Sequence, residues 1–184
     1  MTRIFYDTEF LEDGETIRLI SIGMVRENGD AYYAIARDPG LLGAAWAHQW
    51  LRENVIPSLP VKEDPYGFPD GWNWDREHPD FRHIKARESI AGEIRDFILA
   101  KPDPELWADY CAYDHVALCQ LFGRMIDLPN GVPMWTNDLR QLVARAGNPD
   151  LPSLPGASAH NALDDAREVK MRFEWLAARE AEDY

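Results

Sequence analysis

Four carboxylates and one histidine in this chain have the residue types and spacing for metal-assisted chemistry, and two of the acids sit in its first apolar run. That run is Arg3-Ile4-Phe5-Tyr6-Asp7-Thr8-Glu9. Successive side chains of a strand point to opposite faces, so Asp7 and Glu9 share one face, separated by roughly 6.6 to 6.8 Å. One or two metal ions can bridge that gap. Two acids at the end of a buried strand cost free energy unless something positive neutralises them, and a divalent cation does so most directly. A strand whose end has simply reached solvent explains the same pair.

The third acid, Asp114, lies in Tyr113-Asp114-His115-Val116-Ala117-Leu118, which reads as the opening of a helix. There it is either a further metal-ligating carboxylate or an N-cap that accepts backbone N–H groups. The last group is His160-Asn161-Ala162-Leu163-Asp164-Asp165, at the head of a final helix. Ala162, Ala166, Val169, Phe173 and Leu176 form its apolar stripe. At 100° per residue Asp165 falls about 60° from Ala162 and Asp164 about 160° away. Asp165 is therefore expected against the core and Asp164 in water. Asp165 with His160 makes a candidate site pair; a capped, solvated helix start is the alternative.

These residues need elements to hold them. The first strand, residues 3–9, leads through a turn at Leu11 to Glu15 into a β-branched run at 17–26. An Asn28-Gly29 hairpin signal and a strand at 31–36 follow, which predicts a three-strand antiparallel meander. A helix is expected over 43–55, with Ala45, Trp46, Trp50 and Leu51 near one side, ending before Pro57. Residues 57–84 carry five prolines with Tyr66, Phe68, Trp72 and Trp74, and read as a long ordered loop inserted into the domain. His78 and His83 within it read as solvated. Beyond it come a helix at 86–100, a strand at 105–111, the helix opening at Tyr113 and a short fifth strand at Val132 to Trp135. Asn137 or Asp138 caps a helix through Ala146 that stops at Gly147, and a proline-bounded loop at 148–159 delivers the chain to His160. The pattern is α/β, with a central mixed five-stranded sheet flanked by helices.

At 184 residues with 46% hydrophobic content, the chain suits one domain with a substantial core. The start lacks a signal-peptide pattern and no run approaches the roughly 18 apolar residues of a membrane span, so a cytoplasmic protein with no membrane partner is expected. Cys111 and Cys119 are not in a CxxC arrangement and read as small buried hydrophobes. A net charge of -13 argues against a general duplex binder. It leaves open an acidic cleft that recruits magnesium and grips only the end of a strand.

Taken in order, Asp7-x-Glu9, Asp114 and His160-x-Ala162-x-x-Asp165 resemble the three motifs of the DEDD (DnaQ-like) 3′→5′ exonucleases of the ribonuclease H-like fold. The match is to the DEDDh subgroup, which is marked by a histidine before the last Asp. Within it the likeness is greatest to the polyadenylate-specific exoribonuclease AS group, through Phe5-Tyr6-Asp7-Thr8-Glu9-Phe10, Glu12-Asp13-Gly14, Leu19-Ile20-Ser21-Ile22-Gly23 and Tyr113 to Leu121. The resemblance implies a single exonuclease domain over 1–184 that attacks the 3′ end of single-stranded RNA, releases nucleoside 5′-monophosphates and favours adenylate-rich RNA. It implies two Mg²⁺ ions, replaceable by Mn²⁺, about 3.5 to 4 Å apart in such sites. Asp7 would bridge them, Glu9 and Asp165 complete one, and Asp114 hold the other. His160 would take the proton of the attacking water, Phe10 would stack on the terminal base, and groups near Thr8 and Phe10 would contact the 2′-hydroxyl. A homodimer is implied as well. A DNA exonuclease of the same fold would share these residues, whereas the intact set of four carboxylates with His160 counts against a noncatalytic nucleic-acid-binding module, which has no need to crowd them together.

Overall fold

The computed structural model describes residues 1–38, 40–63 and 72–182. At its centre is β1 (Thr2–Glu12), which runs antiparallel to β2 (Ile17–Arg26), as β2 does to β3 (Ala31–Ala36). The expected meander is present. Gly29, at φ 93°, supplies the left-handed residue that closes the β2–β3 hairpin. The turn expected at Leu11 to Glu15 begins later, because β1 continues to Glu12. Asp13 holds the turn, its Oδ1 accepting the amides of Glu15 and Thr16 at 2.9 and 2.8 Å.

Residues 57–84 contain more regular structure than a loop. A 3-10 turn at Ile56–Ser58 leads to β4 (Val61–Glu63), which pairs with β5 (Trp72–Trp74) as a separate antiparallel hairpin. Val61 and Trp74 face each other in that pair and pack on the core beside Leu59 and Ile84. That apolar contact is what orders the segment. Tyr66 and Phe68 lie outside the described residues. A second 3-10 turn, Pro79–His83, follows. The two histidines read as solvated are engaged there: His78 Nδ1 accepts the Asp80 amide at 3.1 Å, and the His83 ring packs 5.3 Å from Tyr33.

β6 (Ile84–Lys85) then joins β3 in parallel, β7 (Pro104–Ala108) joins β1 in parallel, and β8 (Asn137–Asp138) joins β7. The central mixed sheet runs β6-β3-β2-β1-β7-β8, six strands rather than five. The strand expected at Val132 to Trp135 does not form. Pro133 lacks a ladder donor, Met134 and Trp135 are exposed, and Asn137–Asp138 takes the edge instead.

Six helices complete the described residues: α1 (Leu41–Ala47), α2 (Gln49–Asn54), α3 (Arg87–Leu99), α4 (Ala112–Gln120), α5 (Leu139–Arg145) and α6 (Ala162–Glu182). The single helix expected over 43–55 is two, broken at His48 in an extended conformation. In an unbroken helix the buried Ala45 and Leu51 would lie about 120° apart. The break turns both to the core and leaves Trp46 and Trp50 outside.

Strand alternation sorts the core. Ile4 and Tyr6 point to the layer of α3 and α4, where Ile90, Ile94 and Ile98 are fully buried. Burial of each is worth about 1.5–3 kcal/mol. Phe5 points the other way, to Leu139 on α5 and Val169 and Leu176 on α6, while α1 and α2 cover Ile20, Tyr33 and Ile35. Asp7 and Glu9 continue the Phe5 face toward α6. Thr8 continues the Tyr6 face toward α4. Gly23 is the partner of Asp7 in the ladder, and a Cβ there would overlap the Ala162 carbonyl and the Leu163 Cα. Its missing side chain lets α6 begin directly on the sheet.

Candidate active site

At the carboxyl end of β1 the layers leave a cleft of about 380 Å³. Asp7, Thr8, Glu9, Phe10, Asp114, His160 and Asp165, all singled out from the sequence, line it together. Asp7 and Glu9 arrive on β1, Asp114 on α4, and His160 and Asp165 at the head of α6.

Asp114 does not cap its helix. Cys111 holds that position, and Asp114, a turn inside and 5% exposed, turns to β1 instead. Its Oδ1 accepts the Thr8 amide at 2.9 Å and the Thr8 hydroxyl at 2.6 Å, which locks α4 onto the strand. On the other face, α6 starts with Asn161 Oδ1 accepting the Leu163 and Asp164 amides. Asp165 points into the cleft. Asp164 points away, but not into open water: it accepts the Ser158 amide at 3.1 Å and pairs with Arg167 at 2.8 Å.

His160 has a left-handed backbone, φ 59°. The Ser58 hydroxyl, 2.7 Å from its carbonyl oxygen, and the Trp50 indole, edge-on at 4.8 Å, hold it from the α2 side. Its Nδ1 stands 3.7 Å from Glu9 Oε1. The cysteines are half-buried thiols outside the cleft lining, Cys111 Sγ reaching the Thr136 carbonyl and Cys119 Sγ the His115 ring.

Crowding these acids in a buried cleft disfavours their charged forms. Burial, then the charges of Asp114, Glu9, Asp165 and Asp109, push the Asp7 carboxyl well above the usual carboxylate range. Burial with Asp165 and Asp114 raises Glu9 to about 8. Asp114 is raised to about 6 by burial despite the two Thr8 bonds that lower it, and Asp165 to about 6 by burial with Glu168 and Asp164. Burial lowers His160. Such a site gains most from a bound cation, since every acid carries the protonation cost that a positive charge removes. Ligand atoms of Glu9, His160 and Asp165 lie within 4.8 Å of one another. Hard carboxylate oxygens in this number fit a divalent ion such as Mg²⁺ or Mn²⁺.

Several lining residues escaped the sequence reading. Asp109 follows β7, and its carboxylate takes Arg140 Nε at 2.5 Å and Nη2 at 2.7 Å, with Arg172 Nη1 at 3.4 Å. Arg172 also pairs with Glu168. Glu168 and Arg172 stand three and seven residues beyond Asp165 on α6, so helical spacing could have placed them on its face. Asp109 had a weaker signal, an acid at the carboxyl end of a strand parallel to β1. Tyr113 stacks on Phe10 with ring centroids 5.9 Å apart and planes 11° from parallel. Nothing local marks Trp50, which meets His160 from far along the chain.

A central mixed sheet flanked by helices, compatible with a ribonuclease H-like fold, and a cleft of convergent carboxylates at the end of its middle strand define the class as an α/β enzyme of the nuclease type. No family model matches the chain. Two curated proteins of Mycobacterium tuberculosis, from strains CDC 1551 / Oshkosh and ATCC 25618 / H37Rv, are each 41% identical to it over 180 residues. The alignment spans 96% of this chain and 94% of each relative, and both relatives are named 3′-5′ exoribonuclease. The chain belongs to this 3′-5′ exoribonuclease family and is an enzyme.

Proposed function

We propose that the protein is a metal-dependent exoribonuclease of the DEDDh type, working as one unit over residues 1–184. It removes nucleoside 5′-monophosphates from the 3′ end of single-stranded RNA, with adenylate-rich strands preferred as in the AS group. The observation that carries this reading is the convergence of Asp7, Glu9, Asp114 and Asp165, from three separate segments, with His160 in one cleft.

Asp7, Glu9, Asp114 and Asp165 would hold two divalent ions, which when bound neutralise developing charge on the phosphate and ease deprotonation of water. His160, whose pKa burial lowers, is neutral near pH 7 and able to accept the proton of the attacking water. Trp50 and Ser58 keep its ring beside Glu9. Phe10, backed by Tyr113, offers an aromatic face for the terminal base. Both donors of Thr8 are committed to Asp114, so Thr8 acts on the substrate through that acid, and the backbone at Phe10 is left for the 2′-hydroxyl. The exposed indole of Trp135 is compatible with the homodimer of the family resemblance. Among the described residues no helix is long and apolar enough to cross a membrane.

Product analysis tests the reading. Oligoadenylate, mixed-sequence RNA and matched DNA, each 5′-labelled, are incubated with Mg²⁺ or with chelator. A ladder that shortens from the 3′ end on RNA, fastest on oligoadenylate and lost with chelator, is expected. No shortening would leave a binding module, and DNA consumed as fast as RNA would make it a DNA-directed enzyme.

A further inference from the structure

A second cleft, of about 490 Å³, opens where the β4–β5 hairpin meets the sheet edge, and its lining includes Arg37, Lys62, Arg76, Trp74 and Phe81. Its charge runs against the rest of the molecule, which has 32 acidic residues against 19 basic ones. Most cations elsewhere are neutralised, as Arg3, Arg18, Arg124, Arg140, Lys170 and Arg172 are by neighbouring carboxylates. Lys62 has Asp75 at 3.5 Å. Among the described residues, Arg37 and Arg76 have no carboxylate partner. Arg37 is nonetheless fixed, its amide bonded to the Lys85 carbonyl at 2.8 Å where β3 ends.

The cleft is in line with the acidic site. Glu9 pairs with Ser21 across β1–β2, and Ser21 with Ile35 across β2–β3. Two strand spacings and two further residues put the Arg37 Cα roughly 12 Å from that of Glu9. Parity places Arg37 on the Ile35 face, the face that Glu9 shares. The line between them is buried, Tyr33 and Ile35 lying beneath α1 and α2, so a strand that joins the two clefts passes over those helices.

We propose that this cleft binds the phosphodiester backbone of the RNA several nucleotides upstream of the one being removed. The proposal rests on the exoribonuclease reading for its direction, the 3′ end lying at Glu9. Guanidinium forks match phosphate oxygens, and the Trp74 and Phe81 rings offer faces on which bases stack regardless of sequence. At about 3.4 Å per stacked nucleotide, the 12 Å straight line sets a minimum of roughly four nucleotides between the two clefts. Substrates shorter than that lose the upstream grip, so the enzyme holds long strands and lets the last short pieces go.

The test is equilibrium binding in chelator, where no strand is consumed, read by fluorescence anisotropy. Two 5′-labelled RNAs, of about twelve and about three nucleotides, are titrated with wild type and with R37A/R76A at several salt concentrations. Wild type should bind the longer strand more tightly. The variant should lose affinity for it by about 25-fold at 0.1 M salt, with the salt slope reduced by about 1.4, from roughly 0.7 per phosphate contact on a single strand. The short strand should bind, and be turned over with Mg²⁺, as by wild type, which shows the variant folded. Equal binding of both strands by wild type, or an unchanged affinity and slope in the variant, would overturn the proposal. So would competition by polyglutamate that matches RNA, which would mark a docking surface for an acidic protein. If wild type grips the long strand through the two arginines yet never shortens it, the cleft stands and the exoribonuclease reading falls.

Discussion

Replacing Glu9 by glutamine should make the metal-free protein more stable at neutral pH, and the gain should grow with pH. The folded Glu9 carboxyl sits at about 8 against an ordinary 4.5, through burial and the charges of Asp165 and Asp114. A group whose folded pKa is raised contributes fully below its unfolded value and loses that contribution as pH rises through the folded one. For Glu9 the loss runs from about pH 4.5 to about 8, and at 1.36 kcal/mol per unit it totals about 5 kcal/mol. Burial raises Asp114 and Asp165 only to about 6, whereas Glu9 is raised to about 8 and keeps its slope beyond them, beside Asp7, which is held well above the usual carboxylate range. Between about pH 6 and 8 Glu9 accounts for about 2–3 kcal/mol, or about 5–10 °C in Tm for a domain of this size. Glutamine mimics the protonated acid and carries no such slope. Thermal unfolding in chelator should therefore show wild type falling between pH 6 and 8 and E9Q falling less steeply, with only the slope of Asp7 left. Added Mg²⁺ should restore wild type and do little for E9Q. Parallel Tm curves for the two proteins would refute the electrostatic account of the site.

Other perturbations separate the remaining parts. H160A should lower kcat by about 10²–10⁴ while RNA affinity in chelator is kept; an unchanged kcat would assign proton transfer to another group. T8V removes the 2.6 Å hydroxyl bond to Asp114, and loss of such a supporting bond costs about 10–100-fold in metal affinity. The check is the Mg²⁺ concentration for half-maximal activity, and no rise in it would mean the amide bond alone orients the acid. F10A should raise KM by about 5- to 150-fold, the 1–3 kcal/mol of one stacked base, whichever base ends the strand. A fall in Tm with unaltered KM would instead make Phe10 a packing residue for Tyr113.

Much of the arrangement was legible where local geometry decides it. Asp7 and Glu9 share a face because strands alternate, and Asp165 rather than Asp164 enters the cleft because helices turn by 100° per residue. Contacts between distant segments were not legible. Asp114 could be read as a cap or as a ligand because its own helix offers N–H groups, and only the arrival of Thr8, 106 residues earlier, draws it away from them. Asp164 looked solvated because Ser158 and Arg167 approach it only after the loop folds back. The α1–α2 break was hidden by a helical stripe that ran through it, while Pro133 did hold the reason why its run is not a strand. The seven predicted site residues came together without their neighbours Trp50 and Asp109, which have no motif of their own.

Gly23 divides the site into two parts with different mechanical origins. Asp7, Glu9, Thr8 and Asp114 are tied to the sheet by ladder and side-chain bonds. Asp165 and His160 ride on a helix whose seating depth is fixed by one hydrogen atom in place of a methyl group. Gly23→Ala would act as a shim, lifting one bank of the cleft away from the other without altering a single ligand. Catalysis should then fail while the fold and the aromatic platform persist, and the rate would report the width of the gap.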